Sequence, residues 1–289
     1  MSRGPRVPPK AVLAVSMAAV STASILIKMS SAHPLAIAAY RMIISTLILA
    51  PLLILLGEFN DLRDLDRGVL FKLVGVGFFL ALHFATWISS LSLTSIVSSV
   101  VLVHLDPIIV AFLSHFFLGE RMSRRMLLGI VMAICGAALI ALGDMGMGEE
   151  NLQGDLLAFI GSLMLGLYIL SGRRLRQSLS LLPYVVPVYA TAAAILTMGC
   201  LMTGVPLTYQ LREYMIFTAI ALVPMIFGHT LYNWALRYLK ASIVSTSLLG
   251  EPVGASILAF LILGEKPTPP VLLGALITLI GIYICVRGG

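Results

Sequence analysis

Long apolar runs separated by short polar segments dominate the chain. A helix needs about 20 mostly apolar residues to cross the hydrocarbon of a bilayer. Runs of that kind fall at roughly 11–28, 35–56, 69–90, 95–118, 124–143, 152–172, 182–203, 213–237, 242–263 and 270–287, and they predict ten transmembrane helices. The links between them are too short to fold as a separate soluble domain, so the pattern predicts one all-α integral membrane bundle. Two runs are interrupted in the same way. "LVHLDPIIVAFLSHFFLGE" (102–120) and "LLGEPVGASILAFLILGE" (248–265) each place a carboxylate directly before a proline and close on Leu-Gly-Glu. Proline leaves the carbonyl four residues back (Val103, Leu248) without its usual partner and favours a kink. Asp106 and Glu251 fall about 14–17 Å along their spans at about 1.5 Å rise per residue, near the bilayer midplane.

The two motifs are a repeat. Asp106-Pro107 and Glu251-Pro252 lie 145 positions apart, as do Gly119-Glu120 and Gly264-Glu265, Gly129 and Gly274, and Gly136 and Gly281. Ser95-Ile96-Val97-Ser98 matches Ser242-Ile243-Val244-Ser245, and His83 and Trp87 match His229 and Trp234, at slightly longer offsets. The chain therefore divides into residues 1–145 and 146–289 with five spans each. An odd number of spans forces the halves into opposite orientations, an inverted repeat of the kind that secondary transporters use.

Composition adds the membrane itself. The 289 residues are 59% hydrophobic and 11% charged, where a soluble domain carries about 25% charged residues. The net charge of +6 invites a nucleic-acid reading, but the basic residues cluster in alternate loops, which is a topological signal. With the N-terminus in the cytoplasm, fifteen of the 19 Lys and Arg fall inside and three (Lys28, Arg212, Lys266) outside, with Arg41 within a span. That bias predicts an N-in/C-in protein of the cell (inner) membrane. After Gly119-Glu120 come Arg121, Arg124 and Arg125; after Gly264-Glu265 come Lys266, Pro269 and Pro270, so the same loop is basic inside and stripped outside. The segment 144–155, with Asp144, Glu149, Glu150 and Asp155, falls outside. Cys135, Cys200 and Cys285 lie in apolar spans and read as packing residues. The basic N-terminus followed by an apolar run resembles a signal peptide, yet 11–28 has a counterpart in the second half and reads as a retained first helix.

Five-plus-five helices, "P…R" in the second span, "P…LGE" in the fourth and "LG" in the fifth resemble the EamA-type branch of the drug/metabolite transporter superfamily. The matching residues are Pro34 with Arg41, Pro107 with Gly119-Glu120 and Gly129, and Pro252 with Gly264-Glu265 and Gly274. The resemblance covers essentially the whole chain. It implies a ten-helix carrier moving small metabolites, amino acids or drugs outward by alternating access. In the second half Ala190 aligns with Arg41, so whatever Arg41 does it does without a symmetric partner.

Spans 126–143 and 271–286 contain no Asp, Glu, Lys, Arg or His and carry small residues at helical spacing: Gly129, Ala133 and Ala137, then Gly274, Thr278 and Gly281. Small residues let transmembrane backbones approach closely, so these two form a scaffold, packed together or at a dimer contact. Polar residues in hydrocarbon are costly and usually face a bundle interior or a cavity. His83, Thr86, Trp87 and Ser90 share one face of the third span, and His229, Tyr232 and Asn233 a comparable face of the eighth. With Arg41, Tyr168 and Tyr189 these are the candidate cavity walls, although each aromatic residue alone is also a common packing or interfacial residue. Asp106 and Glu251 have two compatible readings. They are buried acids tied to backbone at the Pro107 and Pro252 kinks, or at least one cycles a proton while the kinks act as hinges. Arg41 snorkels outward, pairs with an acid, or offers a bidentate site to a substrate carboxylate.

No metal-ligand spacing, phosphate loop or Ser-His-Asp grouping appears, so the expectation is a transporter, not an enzyme, without cofactor or metal. The expected function is export of amino acids or other small amphipathic metabolites or drugs by alternating access, driven by protons or by the cargo's own gradient. The alternatives are a nucleotide-sugar or sugar-phosphate exchanger and, from another class, a lipid flippase or intramembrane enzyme. The expected partners are a small-molecule substrate and the lipid bilayer, with no nucleic acid, in a monomer or homodimer.

Overall fold

The computed structural model describes residue 5 and residues 7–94, 99, 102–143, 152–258, 260–261 and 268–288. Ser95–Ser98, Asp144, Glu149, Glu150, Gly264, Glu265 and Lys266 of the sequence patterns lie outside the described residues. Among the described residues all regular structure is helical. Eight helices among the described residues are long and apolar enough to cross a membrane: Pro9–Met29, Pro34–Leu55, Arg67–Ser90, Leu152–Leu175, Leu181–Thr203, Leu211–Ala235, Ala241–Leu258 and Pro269–Gly288.

Local chemistry explains where these elements start, stop and break. The first span is two helices, α1 (Pro9–Val20) and α2 (Ala23–Met29). At the step between them the Ser21 and Thr22 hydroxyls donate back to the carbonyls of Met17 and Ala19, at 2.9 and 2.8 Å. Such back-bonding competes with the helical ladder and bends it. Helix α3 (Pro34–Leu55) starts with proline in its first turn and His33 Nδ1 accepting from the Leu35 amide, the position where a missing N–H costs nothing. A short α4 (Phe59–Arg63) leads to α5 (Arg67–Ser90), capped by Asp66. Helix α6 (Asp106–Leu118) ends on Gly119, whose φ of +65° admits the left-handed cap that other residues resist.

Helices α7 (Arg124–Gly143), α8 (Leu152–Leu175) and α9 (Leu181–Thr203) follow. Next come α10 (Leu211–Ile220), a π-helical stretch Ala221–Thr230 around Pro224, and α11 (Leu231–Ala235), which run on as one span. Proline has no N–H to give to the ladder, and wider π turns are where helices accommodate such an interruption. The last elements are α12 (Ala241–Leu248), α13 (Gly250–Leu258) and α14 (Pro269–Gly288).

Helices α7 and α14 lie against each other along their length. A Cβ on Gly129 would stand 2.5 Å from the Cys285 backbone nitrogen, and one on Gly136 2.5 Å from that of Thr278. The scaffold expected from the small-residue spacing is thus a direct pair within one chain. The remaining helices bury one continuous core in which α8 packs on α5, α9 on α3 and α5, and α1 on the π-helical stretch. Leu55, Phe71, Met202 and Leu211 stand exposed on the outside of the bundle. That placement is costly in water and favourable against lipid tails.

Candidate functional site

Both acid-proline pairs follow short interruptions of a helix, at which Leu105 and Leu249 keep right-handed helical dihedrals. Asp106 opens α6 after a turn at His104-Leu105, and Glu251 sits in the first turn of α13 after the step at Leu249. Each carboxylate therefore occupies a helix N-terminus, where unpaired amides and the macrodipole favour negative charge. Asp106 is fully buried and accepts a hydrogen bond from Ser245 Oγ of α12; its Oδ1 finds no partner among the described residues.

Glu251 instead lines open space. A cavity of ≈370 Å³ is walled by Ser24, Ile27 and Lys28 of α2, Ser30, Ser31, Pro34, Ile37, Trp87, Ile88, Leu91, His104, Glu251 and Pro252. A second, of ≈30 Å³, is walled by Arg41, His83, Leu165, Pro224, His229, Tyr232 and Leu248. The two share Trp87, His104 and Glu251. Arg41, His83, Trp87, His229, Tyr232, Glu251 and Pro252 are thus brought together around one path into the bundle.

Arg41 does not snorkel. It is 1% exposed, with its guanidinium carbon 3.9 Å from the centre of the Phe84 ring and Nη2 3.6 Å from the Met225 sulfur. Its Nε and Nη1 have no hydrogen-bond partner among the described residues. Face-on contact with an aromatic ring suits a guanidinium, but it leaves the in-plane N–H donors for something else. His83 Nδ1 donates to the Gly161 carbonyl at 2.9 Å, and its ring stacks on Trp87 at 5.9 Å and 8°. That bond leaves Nε2 as the acceptor of a neutral imidazole. Tyr232 hydroxyl and His229 Nδ1 are 2.7 Å apart, and the His229 ring packs on Phe84 at 5.2 Å. The Trp87 indole nitrogen is buried and has no hydrogen-bond partner among the described residues.

Three expected wall residues stand behind this surface. Asn233 Nδ2 donates to the Tyr168 hydroxyl at 2.6 Å and to the His229 carbonyl at 2.7 Å, while Tyr189 and Thr230 pair their hydroxyls at 3.0 Å. They brace the helix that carries His229 and do not line either cavity. Phe84, Met225 and Pro224 were not singled out in the sequence, since an apolar residue in a membrane helix carries no mark of its task.

Polar contacts differ at the two ends of the bundle. At the end bearing α12's N-terminus, Arg173 Nε meets Glu120 Oε1 at 2.7 Å and Arg173 Nη1 donates to the carbonyls of Leu236 and Arg237. Glu120 Oε2 accepts the Ala241 amide at 3.0 Å, capping α12. Arg176, just past α8, is buried and donates to the carbonyls of Asn233 and Leu179. Burial pulls its guanidinium down to about 10, which still leaves it charged at neutral pH. At the opposite end Glu213 accepts from Ser30 Oγ, Ser31 Oγ and the Ser31 amide. There the larger cavity opens, beside Ser30 and Leu91.

Residues 10–142 and 152–287 each match the model of the EamA-like transporter family. An uncharacterized transporter of Archaeoglobus fulgidus is 27% identical over 263 residues, 88% of this chain and 89% of that one. A protein of Streptantibioticus cattleyicolor named as a probable terminal-alkyne amino-acid exporter is 25% identical over 204 residues, 64% of this chain and 62% of its own. A solved crystal structure superposes with a TM-score of 0.82 at 16% identity, covering 98% of this chain and 99% of that chain, a likeness of fold alone.

Proposed function

Because the chain belongs to the EamA-like transporter family and is a multi-pass membrane transporter, not an enzyme, we propose that it exports amino acids or similar small amphipathic molecules across the cell membrane by alternating access. Its architecture in this reading is ten transmembrane helices in two inverted five-helix repeats, residues 1–145 and 146–289, with both termini in the cytoplasm. Support for the repeats comes from the family match falling once on each half and from the 145-residue offset of the acid-proline pairs. Support for the orientation comes from the distribution of Lys and Arg.

With that orientation the Glu120–Arg173 end is cytoplasmic and held by polar contacts, and the end beside Ser30, where the path begins, is outer. The observation that carries the reading is the path through the bundle: an outer cavity that narrows at Trp87, His104 and Glu251 into a chamber holding Arg41, with no lining residue from the cytoplasmic end. A dead-ended cavity at a pair of broken helices is what a carrier presents in one of its two states. The breaks at Asp106-Pro107 and Glu251-Pro252 are the hinges, and Glu251 is the proton-carrying candidate because it lines the path. The terminal-alkyne amino-acid cargo named for the Streptantibioticus relative agrees with this cargo class. A dianionic sugar-phosphate cargo fits poorly with a chamber in which the one arginine faces a glutamate.

Counterflow in proteoliposomes over a panel of free amino acids, with and without a pH gradient, tests it. Saturable exchange stimulated by the gradient in wild type but not in Glu251→Gln supports a proton-coupled carrier. Exchange indifferent to gradient and mutation leaves a uniporter, and no exchange of any amino acid removes the cargo class.

A further inference from the structure

Resting on the reading of the chain as a carrier, we propose that the junction of the two cavities is a zwitterion clamp. The Arg41 guanidinium takes the carboxylate of a free α-amino acid in the small chamber. The Glu251 carboxylate takes its ammonium where the cavities meet. The amino-acid side chain lies back in the larger cavity.

Charge points there first. A guanidinium held 1% exposed in a membrane bundle is tolerated when paired and hydrogen-bonded, yet two of the three Arg41 nitrogens have no partner among the described residues and the third meets only a thioether sulfur, a weak acceptor. Phe84 lies against the guanidinium carbon and offers no oxygen acceptor, so the N–H donors remain for a ligand, and their planar arrangement suits a carboxylate. Glu251 lines the same chamber, and among the described residues no ion pair or hydrogen bond joins it to Arg41. Two opposite charges facing one void without touching are complementary to a molecule that carries both.

Volume gives the orientation. The chamber, ≈30 Å³, has room for about one or two waters, enough for a carboxylate and too little for a side chain. The ≈370 Å³ cavity beyond Glu251 is walled by Ile27, Ile37 and Ile88 among others, a surface that rewards apolar contact and does not select a shape. At the junction the Trp87 indole N–H, without a partner among the described residues, adds a neutral donor. The clamp therefore selects the α-amino-acid head group and is permissive toward the rest.

Trp87 is also the reporter. The chain has two tryptophans, so in a Trp234→Phe background the indole fluorescence comes from the junction alone. The free amino acids are titrated first; the tightest is then compared with its decarboxylated amine and with its des-amino acid. Each truncated ligand is expected to bind at least about tenfold more weakly, the loss that goes with one charge-assisted hydrogen-bonded pair. Arg41→Met abolishes the discrimination between amino acid and amine, and Glu251→Gln that between amino acid and des-amino acid. Arg41→Lys, which keeps the buried charge and loses the fork, guards against a folding defect and weakens the amino acid and the des-amino acid alike. Equal affinity for all three ligands in the unsubstituted site overturns the clamp, as does an Arg41→Met variant that weakens all three equally. Binding of no amino acid, alongside counterflow of some other cargo, overturns the clamp while the carrier reading stands.

Discussion

Ser245 donates a hydrogen bond to the buried carboxyl of Asp106, and this contact ties the break of the first repeat motif to the half-helix that precedes the break of the second. Helix α12 ends three residues later, at the step before Glu251. A displacement of either helix end is therefore felt at the other. The acid at position 106 serves this tie, whereas Glu251 lines the path.

The division of labour is testable by substitution. Asp106→Asn retains an acceptor for the Ser245 hydroxyl and is expected to keep counterflow and lower stability little. Asp106→Ala strands the hydroxyl and costs about 1–3 kcal/mol, the usual penalty for an unpaired buried polar group. A double-mutant cycle of Asp106→Ala with Ser245→Ala, read by thermal unfolding in detergent, should return a coupling of about 1 kcal/mol. No coupling would mean that the two residues act independently.

Glu120 holds three elements at once: α6 through the chain, α8 through Arg173 and α12 through the Ala241 amide. Its ion pair is partly shielded, at 19% and 10% side-chain exposure, so it outperforms an open surface pair. Glu120→Gln keeps the cap and loses the charge; Glu120→Ala loses both. The alanine variant should unfold about 1–2 kcal/mol more easily, a lost cap being worth about 1 kcal/mol of that. Raising the salt concentration should narrow the gap between wild type and Glu120→Gln only slightly. A pair fully screened by salt would mean that this end is not closed.

The α7–α14 contact gives a prediction with an internal control. Gly129→Ala places a methyl 2.5 Å from the Cys285 backbone, whereas a Cβ at Gly199 meets nothing within 4 Å. Gly129→Ala should lower stability by about 1–3 kcal/mol, the range for overpacking against an unyielding neighbour. Gly199→Ala, within α9, should be neutral or gain up to about 1 kcal/mol. Melting temperatures of the two variants decide it, and equal shifts would contradict the close approach.

Much of the frame was legible in the chain because its causes are local. Apolar run length marked the eight membrane-long helices among the described residues, and the glycine spacing in 126–143 and 271–286 marked a scaffold, which is the α7–α14 pair rather than a dimer contact. Proline after Asp106 and Glu251 located the interruptions at Leu105 and Leu249. What the chain did not reveal depends on contacts distant in sequence. Arg41 turns inward because Phe84 and Met225, two unremarkable apolar residues, receive it. Tyr168, Tyr189 and Asn233 have the polarity of wall residues, but Asn233 pairs with Tyr168, and Tyr189 with Thr230, behind the wall. A signal for the closed end was present: Lys28, which lines the large cavity, and Arg173, which binds Glu120, lie 145 positions apart like the acid-proline pairs.

Alternating access itself is tested most directly by accessibility from each side. In a chain with Cys135, Cys200 and Cys285 replaced by alanine, Ser24→Cys places one thiol in the large cavity. A membrane-impermeant maleimide should label it readily in right-side-out vesicles and slowly in inverted ones. Adding Glu120→Gln should raise labelling in the inverted vesicles. Labelling at equal rates from both sides, unmoved by Glu120→Gln, would contradict a cavity that opens to one side at a time.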